Sequence, residues 1–187
     1  MKNTSRRLTL RGSITRKFNA EWNDPVLGGH VVLEYANVLD LKKAWKVEGY
    51  GVWLKDYRKA SPAIDLSTCS IESFLATDDG ITDTGNVLMC NNPQDPRQIA
   101  WGNTMLDLGK ADKVNTTKVQ GVFNEAFCID PDHIIQDELR LFTRLSGSDV
   151  EEGKLHDINY IIWLREVEIT PAESIIQNIK GKSQDLS

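Results

Sequence analysis

The chain has 187 residues, of which 40% are apolar and 26% carry a charge, and its formal net charge is −5. These values are typical of one soluble globular domain and exclude a disordered or fibrous chain. No apolar run approaches the roughly 18 residues that a membrane span requires, so we expect no membrane partner. The three cysteines are far apart and form no Cys-x-x-Cys pair, which disfavours a disulfide framework and a zinc site.

Positive charge is concentrated in the N-terminal part of the chain. Residues 1–60 hold twelve Lys and Arg against six Asp and Glu, whereas residues 61–109 hold one against seven. The first seventeen residues contain no acidic residue, which is typical of a segment that contacts phosphate groups, although a solvated terminus is the alternative. We therefore predict that a basic N-terminal segment, residues 1–17, binds nucleic acid through Lys2, Arg6, Arg7, Arg11, Arg16 and Lys17.

This basic segment merges into the first predicted strand. Apolar residues at Leu8, Leu10, Ile14 and Phe18 alternate with polar ones, and this two-residue period predicts a half-buried strand with one apolar and one basic face. Turn-forming residues follow, and the β-branched run over residues 30–35 predicts a second strand.

The segment that begins near residue 40 is predicted to change from helix to strand. Leu41, Ala44 and Trp45 share one face at helical spacing, and Asp40 can cap the start, which predicts one or two helical turns. Residues 49–58 return to aromatic and β-branched composition and predict a third strand.

Five further strands are predicted at residues 68–76, 99–106, 116–128, 137–145 and 158–169. Between residues 80 and 98, abundant Gly, Asn, Asp and Pro predict a long loop with one short helical turn near residues 87–89. Eight short strands predict an all-β protein. The expected fold is an eight-stranded single jelly-roll sandwich of two four-stranded sheets, with short helices in loops and one C-terminal helix.

The last predicted strand is apolar on both faces, which is typical of a central strand whose second side is covered. The terminal helix, a loop or another copy of the protein could supply that cover. The helix itself is predicted by a capping box from Thr170 to Glu173, with Pro at its first position and Gly181 at its end. Because a helix of about ten residues is marginal alone, its apolar face must dock on its own sheet or on a neighbouring subunit. That face consists of Ile175, Ile176 and Ile179.

The order of elements near the C-terminal end resembles that of a viral shell protein. A turn at Asp130-Pro131-Asp132 follows a strand, a penultimate strand and a charged loop come next, and an Asn-Tyr-Ile-Ile strand from Asn159 leads to the terminal helix. This order is similar to the C-terminal part of capsid proteins from small circular single-stranded DNA viruses, the smacoviruses in particular. The resemblance is most specific over residues 129–184.

The resemblance implies a structural capsid protein rather than an enzyme. Residues 8–187 would form a single jelly-roll shell domain that self-assembles into a closed icosahedral shell of about sixty copies or a multiple of that number. The basic segment would line the interior face of the shell and bind the viral genome, with DNA favoured over RNA. The protein would be part of the virion and would assemble inside the host cell.

No motif for catalysis or metal binding is apparent in the sequence. His30, His133 and His156 are far apart and lack the spacing of a metal site. No nucleophile elbow and no phosphate-binding glycine loop is present. We therefore predict no catalytic residues, no metal and no cofactor.

A different class of function stays open as the alternative. A jelly-roll module could bind carbohydrate or another ligand through exposed aromatic side chains. The candidates are Trp22, Trp45, Trp53, Trp101 and Trp163.

Overall fold

The computed structural model describes residues 2–19, 29–34, 42–55, 68–77, 95, 97–107, 122–147 and 152–182. They form eight strands and one helix. The strands are β1 (Lys2–Lys17), β2 (His30–Glu34), β3 (Lys43–Leu54), β4 (Thr68–Ala76), β5 (Gln98–Asp107), β6 (Val122–Ile129), β7 (Glu138–Gly147) and β8 (Leu155–Glu168), and the helix is α1 (Pro171–Lys182).

The strands form two antiparallel sheets. One sheet has three strands in the order β1-β8-β3, and the other has five in the order β2-β7-β4-β5-β6. The prediction of an all-β protein with eight strands and a C-terminal helix is therefore confirmed. The division differs from the expected two sheets of four, because β6 pairs with β5 rather than joining the three-stranded sheet.

The strand pairs follow a regular pattern along the chain. In one long hairpin of eight strands, the first strand pairs with the eighth, the second with the seventh, the third with the sixth and the fourth with the fifth. Three such pairs are present, namely β1 with β8, β2 with β7, and β4 with β5. At the open edge of β3, Trp45 and Ile135 exchange backbone hydrogen bonds, with N···O distances of 2.9 and 2.7 Å. The segment between β6 and β7 thus touches β3 at the place where a fourth pair would lie.

The main hydrophobic core lies between the two sheets. It is formed by side chains that point inward at every second position, as the two-residue period requires. Burial of this apolar surface contributes about 25 cal/mol per Å² to stability. Its fully buried members include Ile158, Ile162 and Leu164 of β8 and Leu75, Leu139, Leu141 and Leu145 of the five-stranded sheet.

The predicted helical turn near Trp45 is wrong. Residues from Lys43 onward form β3, with Ala44 opposite Val167 in the ladder with β8. Ala44 and Trp45 are both buried but belong to different apolar clusters, as neighbours on a strand covered on both sides do. The long-range ladder therefore overrides the helical spacing. The start of the predicted turn, and the one predicted near residues 87–89, lie outside the described residues.

Helix α1 begins as its sequence predicts. The Glu173 amide donates to Thr170 Oγ1 at 3.3 Å, and the Thr170 amide donates to Glu173 Oε2 at 2.8 Å, which completes the capping box. The helix continues through Gly181 to Lys182 instead of ending at the glycine. It docks on its own subunit at Ser174, which is buried and accepts a hydrogen bond from Gln136 at 2.7 Å.

Candidate nucleic-acid interface

The candidate site is the side of the three-stranded sheet that faces away from the core, which we name the outer face. The ladder register places every second residue of each strand on it. From β1 it takes Arg7, Thr9, Arg11, Ser13, Thr15 and Lys17; from β8, Leu155, Asp157, Asn159, Ile161, Trp163 and Arg165; and from β3 and the residue after it, Lys46, Glu48, Gly49, Gly51, Trp53 and Lys55.

The outer face is positively charged although the chain is negatively charged. Among its described residues are six Lys and Arg and only two carboxylates, whereas the whole chain has a net charge of −5. The cations come from three strands that are distant in sequence, so their positive fields add over one surface. A polyanion is the ligand that such a surface attracts.

One carboxylate, Glu48, lies between two arginines. A register shift between Val47 and Gly49 inserts Glu48 as an extra residue in β3. Its Oε2 lies 3.4 Å from Arg7 Nε, and its Oε1 contacts Arg165 Nη2. Glu48 thus holds guanidinium groups from β1 and β8 beside each other at one end of the face.

The other carboxylate, Asp157, links all three strands. Thr15 Oγ1 of β1 donates to Asp157 Oδ1 at 2.8 Å, and Lys55 Nζ donates to Asp157 Oδ2 at 3.1 Å. The Thr15 hydrogen bond, followed by that of Lys55, lowers the pKa of Asp157. Asp157 therefore stays ionised and fixes the second end of the face.

The remaining cations of the face are available to a ligand. Within the described part of the chain, Arg11, Lys17 and Lys46 form no ion pair. Arg11 and Lys17 are also exposed. Phosphate groups could approach them without displacing a protein carboxylate.

Two tryptophans lie exposed among these charges. Trp163 of β8 is 43% exposed and Trp53 of β3 is 39% exposed. Trp163 lies against Gly49, where an added β-carbon would stand 3.0 Å from Cε3 of the indole. Among the described residues, the second side of β8 is covered at one end, where Val167 packs with Ala44, Ile134 and Ile169.

The structure divides the six cations predicted to bind nucleic acid. Arg7, Arg11 and Lys17 lie together on the outer face. Lys2 precedes the register irregularity between Asn3 and Arg7, and Arg6 lies within it. Both lie on the opposite side of the sheet. Lys2 is paired with Glu168 in the ladder, and Arg6 Nη1 is 3.4 Å from Glu166 Oε1. The sixth is Arg16.

The structure places Arg16, which the sequence predicts to contact nucleic acid, away from the outer face. Arg16 is only 6% exposed, and its Nε donates to Thr143 Oγ1 of β7 at 2.9 Å in the space between the sheets. Burial also lowers the pKa of its guanidinium. The cause is the strand period, since even-numbered residues of β1 from Leu8 onward point inward.

Sequence reasoning missed Lys46, Lys55 and Arg165 as members of the site. Arg165 lies two residues after Trp163 and four after Ile161, and this alternation indicates that all three share one face of β8. Nothing local places Lys46 or Lys55 beside β1 and β8, because that follows from the ladder between β3 and β8.

The predicted subunit-interface residues lie apart from the outer face, on helix α1. Ile175 is 59% exposed and Ile176 is 53% exposed. The side chain of Ile179 lies outside the described residues. Large aliphatic side chains at this exposure, on a helix anchored through Ser174, leave an apolar surface open to a partner.

The five tryptophans of the alternative hypothesis occupy different environments. Trp45 is buried in the core, and Trp101 is half-buried and donates to Gln98 Oε1 at 2.7 Å. Trp22 lies outside the described residues. Only Trp53 and Trp163, among the described tryptophans, share one open surface.

The described residues contain no group of three or more His, Cys, Asp or Glu that could hold a metal ion. None of the helical residues described is part of a helix long and apolar enough to cross a membrane. Comparison of the chain with family models and with curated proteins finds no match.

Proposed function

We propose that this chain is a structural capsid protein, a coat subunit that self-assembles into a small icosahedral shell around a nucleic-acid genome. The observation that carries the proposal is the basic outer face, which gathers six cations on one side of a net acidic chain. In the assembled shell this face lines the interior and contacts the genome.

The strand pairing supports the choice of a shell protein. Three of the four pairs of a folded-back eight-stranded hairpin are present, and the bridge between Trp45 and Ile135 lies at the position of the fourth. We therefore propose a single jelly roll, which is a common architecture of viral coats and also of lectins. Architecture alone does not fix function, and the positive charge of the outer face favours a coat protein over a lectin.

Self-assembly is proposed to use the apolar surface of helix α1. Ile175 and Ile176 directly follow the subunit's own docking residue, Ser174, and are more than half exposed. Subunit contacts in a closed shell each bury on the order of 1,200–2,000 Å² and are built from such apolar patches with polar rims. The expected partner is a second copy of the chain, and the copy number is about sixty or a multiple.

The experiment that tests this proposal is negative-stain electron microscopy of the purified protein, with its absorbance ratio at 260 and 280 nm. Uniform closed particles with a raised ratio are the expected result. A chain that stays monomeric across a range of salt concentration and pH would contradict the coat function. The proposed location is the virion, assembled inside the host cell, with DNA favoured by the resemblance described above.

The second candidate function is a carbohydrate- or ligand-binding module, which the two exposed tryptophans favour. Sugar rings pack on indoles of this kind. The six surrounding cations favour a polyanion instead, because a neutral glycan gains nothing from them. If the protein stayed monomeric and bound neutral glycans, the ligand-binding function would be favoured over the coat function.

A further inference from the structure

We propose that Trp163, together with Trp53, stacks on unpaired bases, so that the outer face binds single-stranded nucleic acid in preference to duplex. This inference deepens the proposed function and rests on its nucleic-acid part. It names the ligand form and the residues that recognise it.

The first step is the exposure of the two indoles. Trp163 and Trp53 are 43% and 39% exposed, whereas Trp45 is only 6% exposed. Both lie on the same side of one sheet, in the register that sets Trp163 opposite Gly49 and Trp53 opposite Asn159. Unpaired bases can stack on such rings, while bases in a duplex are already stacked on each other.

The second step is the packing of the Trp163 indole against Gly49. Glycine is unfavourable within a strand unless another group approaches its backbone closely. At Gly49 that group is the indole, since an added β-carbon would stand 3.0 Å from Cε3. At Gly51 the nearest atom of the described residues, Ile161 Cγ2, would be 3.8 Å away, which is ordinary van der Waals contact. Because Gly49 and Gly51 have no side chain, the surface of β3 beside the Trp163 ring is formed by backbone.

The third step is the arrangement of cations around Trp163. Arg7 and Arg11 lie diagonally across from it on β1, at roughly 7–8 Å between Cα atoms. Arg165 is two residues along β8 and is held with Arg7 by Glu48. A base stacked on the indole would therefore carry its phosphates among three guanidinium groups, which also suit phosphate geometry.

The fourth step is the distance between the indole rings of Trp163 and Trp53. Trp53 lies four residues from Gly49 on β3, which is roughly 13 Å along the strand. That separation exceeds the 3.4 Å rise of stacked bases about fourfold, so the two rings engage different, non-adjacent bases. A strand running from Arg7 toward Lys55 would pass over both rings.

The experiment measures binding of the full chain to a fluorescein-labelled oligothymidylate, to a duplex of equal length and to inorganic polyphosphate. The matched variants are Trp163→Leu, which keeps an apolar side chain but loses the ring, and Trp163→Phe, which keeps a ring. We expect Trp163→Leu to weaken oligothymidylate binding about tenfold or more, with Trp163→Phe intermediate. Polyphosphate binding should change less than twofold, roughly, because it depends on the cations alone.

Quenching of tryptophan fluorescence in the unmodified protein by oligothymidylate gives a second measurement that needs no variant. Strong quenching by the single strand, and little by duplex or polyphosphate, is the expected result. Equal affinity for single strand and duplex, or equal affinity of Trp163→Leu and the unmodified protein, would overturn the inference. Quenching by a neutral glycan without quenching by oligothymidylate would also overturn it.

These outcomes are separate from those that test the coat function. Closed particles whose protein shows no preference for single strands would leave the coat function standing and remove the stacking inference. A monomeric protein with the expected preference would do the reverse.

Discussion

Arg6 and Arg7 are consecutive in the chain but bind carboxylates on opposite sides of the three-stranded sheet. Arg6 Nη1 lies 3.4 Å from Glu166 Oε1, and Arg7 Nε lies 3.4 Å from Glu48 Oε2. The register irregularity between Asn3 and Arg7 precedes this division. Two neighbouring arginines with the same charge therefore differ in whether they face the proposed ligand.

The first prediction uses this pair. Arg7→Gln should weaken binding of oligothymidylate and reduce the slope of log K against log salt by about 0.7, since one phosphate contact is lost. Arg6→Gln removes the same charge on the other side and should leave the slope unchanged. Fluorescence anisotropy at several salt concentrations measures both. Equal losses for the two variants would mean that net charge, and not the outer face, governs binding.

The second prediction concerns the helix surface. Replacing Ile175 and Ile176 with Ser should reduce particle formation while leaving a folded subunit, because both side chains are more than half exposed and contribute little to the core. Sedimentation velocity measures the assembled fraction, and circular dichroism checks the fold. Met105→Ser, at a position 51% exposed on β5, is the matched control and should assemble normally. Normal particles from the double variant would remove helix α1 from the interface.

The third prediction concerns close packing at Gly102. A β-carbon there would stand 2.5 Å from Tyr50 Oη and would also meet the Phe127 ring, and these two rings already pack edge to face at 4.9 Å. Gly102→Ala should lower the free energy of unfolding by about 1–3 kcal/mol, as overpacking does. Gly51→Ala is the control, since among the described residues its β-carbon meets only Ile161 Cγ2, at 3.8 Å. Urea denaturation measures both, and equal stabilities would contradict the predicted packing.

The fourth prediction concerns pH. Because hydrogen bonds from Thr15 and Lys55 lower the pKa of Asp157 in the folded protein, its contribution to stability is present above its ordinary pKa of 3.8. It is lost as pH falls through the lowered folded pKa. The stability difference between the unmodified protein and Asp157→Asn should therefore be full well above pH 3.8 and shrink as the pH falls below that value. Urea midpoints at several pH values measure it, with Asp137→Asn as the control; a difference that does not change with pH would contradict the linkage.

Local rules predict much of this fold. The two-residue period of β1 and the capping box at Thr170 both depend on neighbours within a few residues, and both are confirmed. The same period turns Arg16 away from the outer face, because even-numbered residues of β1 from Leu8 onward point inward.

Long-range pairing accounts for what the sequence could not predict. The helical spacing around Trp45 loses to the ladder with β8 and the bridge to Ile135. The approach of Arg165 to Arg7 and Glu48 depends on which strands become neighbours, and no local signal carries that information. The cations of β1, and Arg165 through its outward alternation on β8, are therefore predictable from the sequence, whereas Lys46 and Lys55 are not.

The placement of β8 between β1 and β3 has a consequence for folding order. Thr4 hydrogen-bonds to Glu166 across 162 residues of chain, and β1 and β3 are joined in their sheet only through β8. Contacts of such high sequence separation form late. The outer face cannot form on a nascent chain until residues 155–168 have left the ribosome, so the proposed binding of nucleic acid would have to wait for the synthesis of β8.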